Sequence, residues 1–584
     1  MKKWETLHEL TVNSSQLTVD EIIALLLKNR GLETEEEIND FLHPKLESVT
    51  TQYVGIDTEQ LSRAVKRIKK AIKNNEQIIV FGDYDVDGIT GSAILWETLD
   101  LLGAKAIPYI PHRIDEGYGL SIKGIENVIE QYPKTKLIIT VDNGIVAHAA
   151  VDSANEKGID VIITDHHVPS TTHPNAHAIV HTTMLCGGGV AWMLSKELLR
   201  VIPNSPALSE AEGFRDPKQG SEKMLKQVQH DMIENHLELV ALATIADLVP
   251  LKAANRILTT VGLAQLQKTK RLGLQALYKE AALDPTTIDV YSVGHLIAPR
   301  LNAMGRLEYA MDSLRLLCTR DKQRADDLAF TLGKTNKQRQ VLTQDTVMHA
   351  KTTVNNLQLT VNKKLIFIAD KSYQPGVIGL VAGRLVEEFY RPAIVLSIGE
   401  TYSKASARSI AGFNIIEFIR SASDLLVDAG GHPMAAGFTV ETEKLILLEK
   451  TLQERIETAL SEDLFTRVLR IDCELPLGEI NKKLYDAIQQ LAPFGMGNQE
   501  PVFVSRKVII ENMRLVGKEG KHLKLTVHSQ NNDAVFDAIA FGFGDKIKEL
   551  KEGNAIDIAY VIDENTWNGN TKLQLKIRDI KKEN

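Results

Sequence analysis

Ile78-Ile79-Val80-Phe81-Gly82-Asp83-Tyr84-Asp85-Val86-Asp87-Gly88 decides how this chain folds and where its chemistry lies. The first four residues form a short, β-branched apolar run, which predicts a buried strand. Asp83, Asp85 and Asp87 follow at alternate positions, closed by Gly88. Alternate residues of an extended segment point the same way, so the three carboxylates are expected on one face. Carboxylates packed that closely repel and are driven to protonate. A hard divalent cation with oxygen ligands removes the conflict. By itself the stretch reads equally as a solvated Asp-Gly turn after a strand.

Recurrence favours the metal. Leu137-Ile138-Ile139-Thr140-Val141 is a second apolar run and ends in Asp142-Asn143-Gly144. Val161-Ile162-Ile163-Thr164 is a third and ends in Asp165-His166-His167. Helical sequence separates them, which predicts a parallel sheet. Ligands of such sheets lie beyond the carboxyl ends of the strands, so these acids and both histidines should converge on one edge. Asp247, after the apolar helix expected over 237–245, supplies a further acid. Aspartate with imidazole suits manganese or magnesium.

At 584 residues the chain is too long for a single core. Its net charge of -8 offers no global basic field, so a polyanion would need a local basic groove. Cys186, Cys318 and Cys473 lie far apart without metal-ligand spacing, which fits a reducing compartment. Met1-Lys2-Lys3-Trp4-Glu5 has no apolar signal core, and no run reaches membrane-spanning length. A cytoplasmic protein without membrane contact is expected. The α/β fold class divides into an N-terminal helical segment (1–55), a first α/β domain (56–250, with a polar insertion at 203–231) and a helical region (251–355). The last of these ends in a long connector helix. A second α/β domain (356–463) and five short strands suiting an oligonucleotide-binding barrel (464–584) complete the chain.

Other residues invite a polyanion. Arg113 and Tyr118, in a glycine-bearing segment after a strand end, suit a phosphate and a base, or simply a turn with an ion pair. Gly187-Gly188-Gly189 reads equally as a phosphate loop and a packing turn. Arg300, Asn302 and Arg306 fall in an expected loop that could clamp a polyanion. Ser406, Arg408, Gly430, Gly431 and His432 combine hydroxyl, guanidinium and glycine amides, the usual phosphate-binding set. Gly430-Gly431-His432 reads alternatively as a loop before a small-residue helix over 434–437. In the barrel, Lys518, Lys521, His522, Lys524, Phe541, Phe543 and Trp567 form either a basic, aromatic strand-binding surface or part of the core.

Together these motifs resemble the DHH phosphoesterase superfamily, named for Asp165-His166-His167. Their order, from Gly82 to Gly88 through 299–306, 376–379, 406–409 and 430–432 to Leu491-Ala492-Pro493-Phe494-Gly495, resembles the bacterial single-strand-specific exonucleases of that superfamily. The resemblance implies a DHH catalytic domain and a DHH-associated domain joined by the long helix, followed by the barrel. It implies 5′→3′ hydrolysis of single-stranded DNA in repair and recombination, with two Mn2+ or Mg2+ ions. Asp87, Asp142, His166 and Asp247 would hold one ion, and Asp85 with a bridging Asp142 the other. Asp83 and Asp165 would be ligands or support them, and His167 would face the scissile phosphate. Arg113, Tyr118, Arg300, Asn302, Arg306, Ser406, Arg408, Gly430, Gly431 and His432 would bind the strand, with Arg113, Ser406 and Arg408 gripping a 5′-phosphate. Implied partners are a RecQ-type helicase and a single-stranded-DNA-binding protein, for a monomeric enzyme. Phe81 replaces a frequent ligand histidine, His181-Thr182-Thr183 a frequent Asn-Pro-Asn, and Gln374 another histidine. Two other readings are a phosphodiesterase for short oligoribonucleotides or cyclic dinucleotides, which usually lacks the N-terminal segment and barrel, and a dead single-strand-binding scaffold, which the intact acid set opposes.

Overall fold

The computed structural model describes residues 2–7, 18–112, 116–117, 119–201, 230–359, 363–531, 534–567 and 569–582, the side chain of Trp567 excepted. The chain forms two compact units, Lys45–Phe465 and Met1–Pro44 with Thr466–Asn584.

The first unit begins with a five-stranded parallel sheet. Its strands are β1 (Gln77–Gly82), β2 (Lys105–Tyr109), β3 (Thr135–Val141), β4 (Asp160–Asp165) and β5 (Ala178–His181), in the order β2-β1-β3-β4-β5. The three expected strands are therefore adjacent and central. Ile78, Ile79, Val80, Ile138, Ile139 and Ile162 are completely buried, because helices cover both faces. Helices α1 (Val86–Leu101), α2 (Gly187–Val201) and α3 (Leu237–Ala246) share one core with them.

A six-residue π-helical turn at Ser292–Ile297 leads into α4 (Ala298–Leu307). The 35-residue connector α5 (Lys322–Asn356) follows, capped at its start by the Asp321 carboxylate. The second lobe is a mixed sheet of β6 (Ile366–Asp370), β7 (Ala393–Ser397), β8 (Tyr402–Arg408), β9 (Leu426–His432) and β10 (Ala435–Glu441). Its order is β9-β10-β8-β7-β6, and only β6 and β7 run parallel. Helix α6 (Ile378–Phe389) packs beside β7 and β8.

In the other unit β11 (Cys473–Glu474) pairs with β12 (Phe503–Val516). The ladder β12-β13-β14-β16-β15 returns to β12, where Phe503 faces Tyr560, closing a five-stranded barrel. Here β13 is His522–His528, β14 Val535–Ala540, β15 Ala555–Trp567 and β16 Asn570–Lys582. All five expected barrel strands fall on these, with Val502 and Phe541 just beyond the ends of β12 and β14. The boundary expected at residue 55 falls differently. Ile22, Leu26, Leu27 and Phe41, from Val19–Asn29 and Glu35–Leu42, enter the barrel's own core with Leu484, Phe503 and Tyr560. Lys3–Thr6 pairs in parallel with Val468–Ile471. Such long-range burial leaves no trace in local periodicity. Among the described residues no helix is long and apolar enough to cross a membrane. The expected insertion lies outside them over 202–229.

Candidate metal centre

The three opening aspartates meet, but not on an extended face as the alternation predicts. The strand stops at Gly82, and Val86 already belongs to α1. Asp85 is the helix cap, its carboxylate accepting from the Gly88 amide at 3.1 Å. Asp87 lies in the first turn. Its Oδ2 accepts from the Gly187 amide at 2.7 Å and its Oδ1 from the Gly188 amide at 2.6 Å. These donors open α2, where a helix favours negative charge. Gly187-Gly188-Gly189 is thus neither reading alone: its first two amides orient a carboxylate of the centre. A Cβ on Gly187 would fall 2.5 Å from that of Asp142, so only glycine admits this approach.

Asp142 follows β3 with φ at 64°, a left-handed conformation that aspartate tolerates better than most side chains. It is buried, and its Oδ1 has no hydrogen-bond partner among the described residues. That oxygen lies 3.1 Å from His166 Nε2 and 3.9 Å from His167 Nδ1. His166 Nε2 is also 3.6 Å from both Asp87 Oδ2 and Asp247 Oδ2. Asp247 caps the C-terminal end of α3.

Three overlapping groups result: Asp83, Asp85 and Asp142; Asp87, His166 and Asp247; Asp142, His166 and His167. Within each, the candidate ligand atoms lie within 4.8 Å of one another. Asp142 belongs to two, the position a bridging ligand would take. Burial raises the Asp85 carboxyl, and Asp87's charge adds to it. Burial also carries Asp142 well above the carboxylate range, with Asp87, Asp85, Asp83 and Asp165 contributing. Asp247 is pushed up to about 8 by burial and the charges of Asp87 and Asp85. The accepting Asp142 oxygen, the crowded carboxylates and the imidazole fit a divalent cation such as Mn2+ or Mg2+.

Asp165 has another task. Its Oδ1 accepts from the amides of His166 at 2.7 Å and His167 at 3.1 Å, and lies 2.8 Å from His167 Nδ1. Its Oδ2 accepts from the Ile145 amide at 2.9 Å. Asp165 therefore sets the two histidines rather than joining the cluster. Burial alone would lower His167, but the Asp165 bond and charge lift it to about 9. Asp83 is buried and accepts from the Tyr84 amide at 2.8 Å. Phe81, at the frequent histidine position, is buried and stacked on Tyr109 with centroids 5.2 Å apart.

The second lobe reaches this edge through His432, whose ring stacks on His167 at 5.8 Å. Gly430, Gly431 and His432 belong to β9, hairpinned to β10, not to a loop before a helix. Small residues fit the tightly paired hairpin as well as a helix, so composition alone misled. Ser406 and Arg408 end β8, where the guanidinium donates to Ser406 Oγ at 3.1 Å. Gly379 in the first turn of α6 packs on both.

The clamp expected in a loop is helical. Arg300, Asn302 and Arg306 lie on α4, whose Pro299 occupies the helix start that proline tolerates. Arg300 donates to Glu280 Oε2 at 2.5 Å and the Leu296 carbonyl at 2.7 Å. Asn302 Oδ1 accepts from the Val86 amide at 3.0 Å, so it braces the first turn of α1 beside Asp85 and Asp87. Arg306 donates to the Gly376 carbonyl at 3.2 Å, linking α4 to the second lobe. Arg113 and Tyr118 lie outside the described residues. In the barrel, Lys521 and Lys524 pair with Glu519 and Asp537, and Phe543 packs against the core, while Phe541 is exposed beside His522.

The chain is similar to known proteins along nearly its whole length. A family model for the DHH family N-terminal domain matches residues 77–244, one for the DHHA1 domain 361–458, and one for the RecJ OB domain 471–579. The single-stranded-DNA-specific exonuclease RecJ of Bacillus subtilis is 36% identical over 97% of this chain and 68% of its own length. That of Salmonella typhimurium is 31% identical over 96% of this chain and 95% of its own. The crystal structure of Thermus thermophilus RecJ in complex with Mn2+ covers all of this chain and 80% of its own, with a TM-score of 0.78 and 28% identity. With three domain models in this order and relatives matched nearly end to end, the chain belongs to the RecJ family.

Proposed function

We propose that this chain is a metal-dependent exonuclease of single-stranded DNA, working at the acidic edge of the parallel sheet. The observation that carries this reading is Asp142, buried with an oxygen that accepts no hydrogen bond among the described residues and shared between two ligand groups. Asp87, Asp142, His166 and Asp247 would hold one cation, and Asp83, Asp85 and Asp142 a second. Bound there, divalent cations supply an activated water and charge for the leaving oxygen. Hydrolysis would break the bond between phosphorus and the terminal nucleotide's 3′ oxygen. Water's hydroxyl stays on the phosphorus and its proton goes to the released oxygen. His167, fixed between Asp165 and His432, would face that phosphate.

Polarity would come from the other lobe. Ser406 and Arg408 there, with Arg113 from the first lobe, would hold a terminal 5′-phosphate while the next phosphodiester meets the acids. Gly430, Gly431, Arg300, Arg306 and Tyr118 would contact the strand, and Asn302 would act through the helix it braces. The same reading carries with it a RecQ-type helicase, a single-stranded-DNA-binding protein, a monomeric state and a cytoplasmic location. The barrel and the helices sharing its core argue against a phosphodiesterase for short RNA or cyclic dinucleotides.

The test offers long single-stranded DNA labelled at either end, short RNA and a cyclic dinucleotide in Mn2+. Mononucleotides should leave the 5′ end of the DNA and stop leaving on chelation. Release from the 3′ end, or faster turnover of either small substrate, would refute the reading.

A further inference from the structure

Four large apolar side chains stand in solvent on the segments that leave the acidic edge. Val146 is 59% exposed, Val168 69%, Met184 45% and Leu248 63%. Each is close in sequence to a residue of the centre or of its support. Val168 follows His167, and Leu248 follows Asp247. Val146 comes shortly after Asp142, and Met184 shortly before Gly187, whose amide holds Asp87. The same segments bury their other apolar residues, Ile145, Leu185 and Leu251, so a core was within reach.

These segments are held in place. His148 Nε2 lies 3.2 Å from Ser170 Oγ, joining the turn of Val146 to that of Val168. Asn255 Nδ2 donates to the carbonyls of Met184 at 2.9 Å and Pro250 at 3.2 Å, joining the other two. His181 Nε2 lies 2.8 Å from the His167 carbonyl oxygen, just before Val168. Leu248 has φ at 60°, a conformation that glycine or asparagine adopts at less cost.

Single exposed apolar residues need no explanation, but four braced around one set of carboxylates do. A phosphodiester brought to those acids carries a base on each neighbouring sugar. The base faces are the extensive apolar surface of such a strand, and stacking hides them in a duplex. We propose that Val146, Val168, Met184 and Leu248 form an apolar rim that receives unstacked nucleobases on either side of the scissile phosphodiester. The rim rests on the exonuclease reading and deepens it: it makes loss of stacking a condition of entry, and so selects single strands by their bases as well as their width.

The experiment compares 5′-phosphorylated single strands that are identical except for abasic tetrahydrofuran residues flanking the first scissile bond. The variants are Val168→Thr, which keeps the side chain's shape, and Leu248→Asn, which suits the left-handed backbone. The wild type should cleave the abasic strand roughly tenfold less efficiently in kcat/KM, the equivalent of about 1.4 kcal/mol. Each variant should lose much of its activity on the base-bearing strand and little more on the abasic one, with Mn2+ affinity by electron paramagnetic resonance unchanged. Equal cleavage of the two strands by the wild type, or equal losses on both in the variants, would overturn the rim while leaving the exonuclease in place. A wild type that releases no nucleotide from the base-bearing strand would overturn the exonuclease reading, and the rim with it.

Discussion

Helices α1 and α3 carry buried or half-buried acids at both ends, and the two ends neutralise them differently. Asp87 and Asp247 meet near His166 at one end, and Glu97 and Glu238 meet at Arg271 at the other, so the helices run antiparallel. At the Arg271 end the guanidinium donates to both Glu97 oxygens, at 2.6 and 2.8 Å, and to Glu238 at 2.6 Å. Burial pushes Glu97 up, but Arg271 more than cancels it and holds the carboxyl well below the usual range. Burial raises Glu238, which receives only one of the three bonds. At the other end, among the described residues, no lysine or arginine pairs with Asp85, Asp87, Asp142 or Asp247, and the carboxyls of Asp85, Asp142 and Asp247 rise. One end takes its positive charge from the chain. The other is built to receive it from outside.

The largest effect should come from breaking the open end. Asp142→Ala is expected to lower strand hydrolysis in Mn2+ on the order of a thousandfold. The metal-free protein should melt no lower than wild type, because one repelling carboxyl is gone. Wild-type cleavage, or a collapsed melting curve, would mean that Asp142 belongs to the closed kind of cluster. At the Arg271 end the outcome should be the reverse. Arg271→Met strands two buried carboxylates and should cost about 3–5 kcal/mol in urea unfolding. Adding Glu97→Gln and Glu238→Gln should recover much of that. A single variant as stable as wild type would show that water already neutralises this end.

A smaller effect tests whether the Arg408 guanidinium holds ligand charge rather than protein charge. Arg408→Ala should cut the preference for 5′-phosphorylated over 5′-hydroxyl strands by about 1.5–3 kcal/mol in matched kinetics, and an intact preference would remove it from the end pocket. The smallest is a pH effect. Asp247, near 8 in the fold, binds a proton in the native state across a range where the unfolded chain, near 3.8, has lost it. Stability of the metal-free protein should therefore be greatest at the acidic end of that window. It should fall on the order of 1 kcal/mol as pH rises through 8. Saturating Mn2+ should flatten or reverse the trend in denaturant titrations, and an unchanged slope would exclude Asp247 from the ligands.

Much of this was legible because the apolar runs and the acids that end them are local signals. Ile78 to Phe81, 137–141 and 161–164 announce buried strands, and a parallel sheet then brings Asp142, His166 and Asp87 to one edge. What failed was finer than the period. Alternation suggested one extended face for Asp83, Asp85 and Asp87, but Asp85 could cap a helix, and the cap prevailed. The amides of Gly187 and Gly188 looked free for a ligand because nothing in the sequence tells which carboxylate will reach them. Arg300 and Asn302 read as loop residues because Pro299, Asn302 and Gly305 are poor helix formers, yet the proline sits where a helix start tolerates it. The Arg271 cluster went unread, since its acids lie far from it along the chain and no motif marks them.

The pairing of Lys3–Thr6 with Val468–Ile471 bears on how the protein is made. The first strand leaves the ribosome before the partner it needs. At about 5–20 residues per second it waits roughly half a minute to a minute and a half. Ile22, Leu26 and Leu27 wait with it, because their core is completed by β12 and β15. A chain shortened after Phe465 would leave these side chains without their shelter. Clean removal of the barrel therefore takes the first 44 residues as well, and a stalled or nicked chain should present an adhesive apolar helix to quality control.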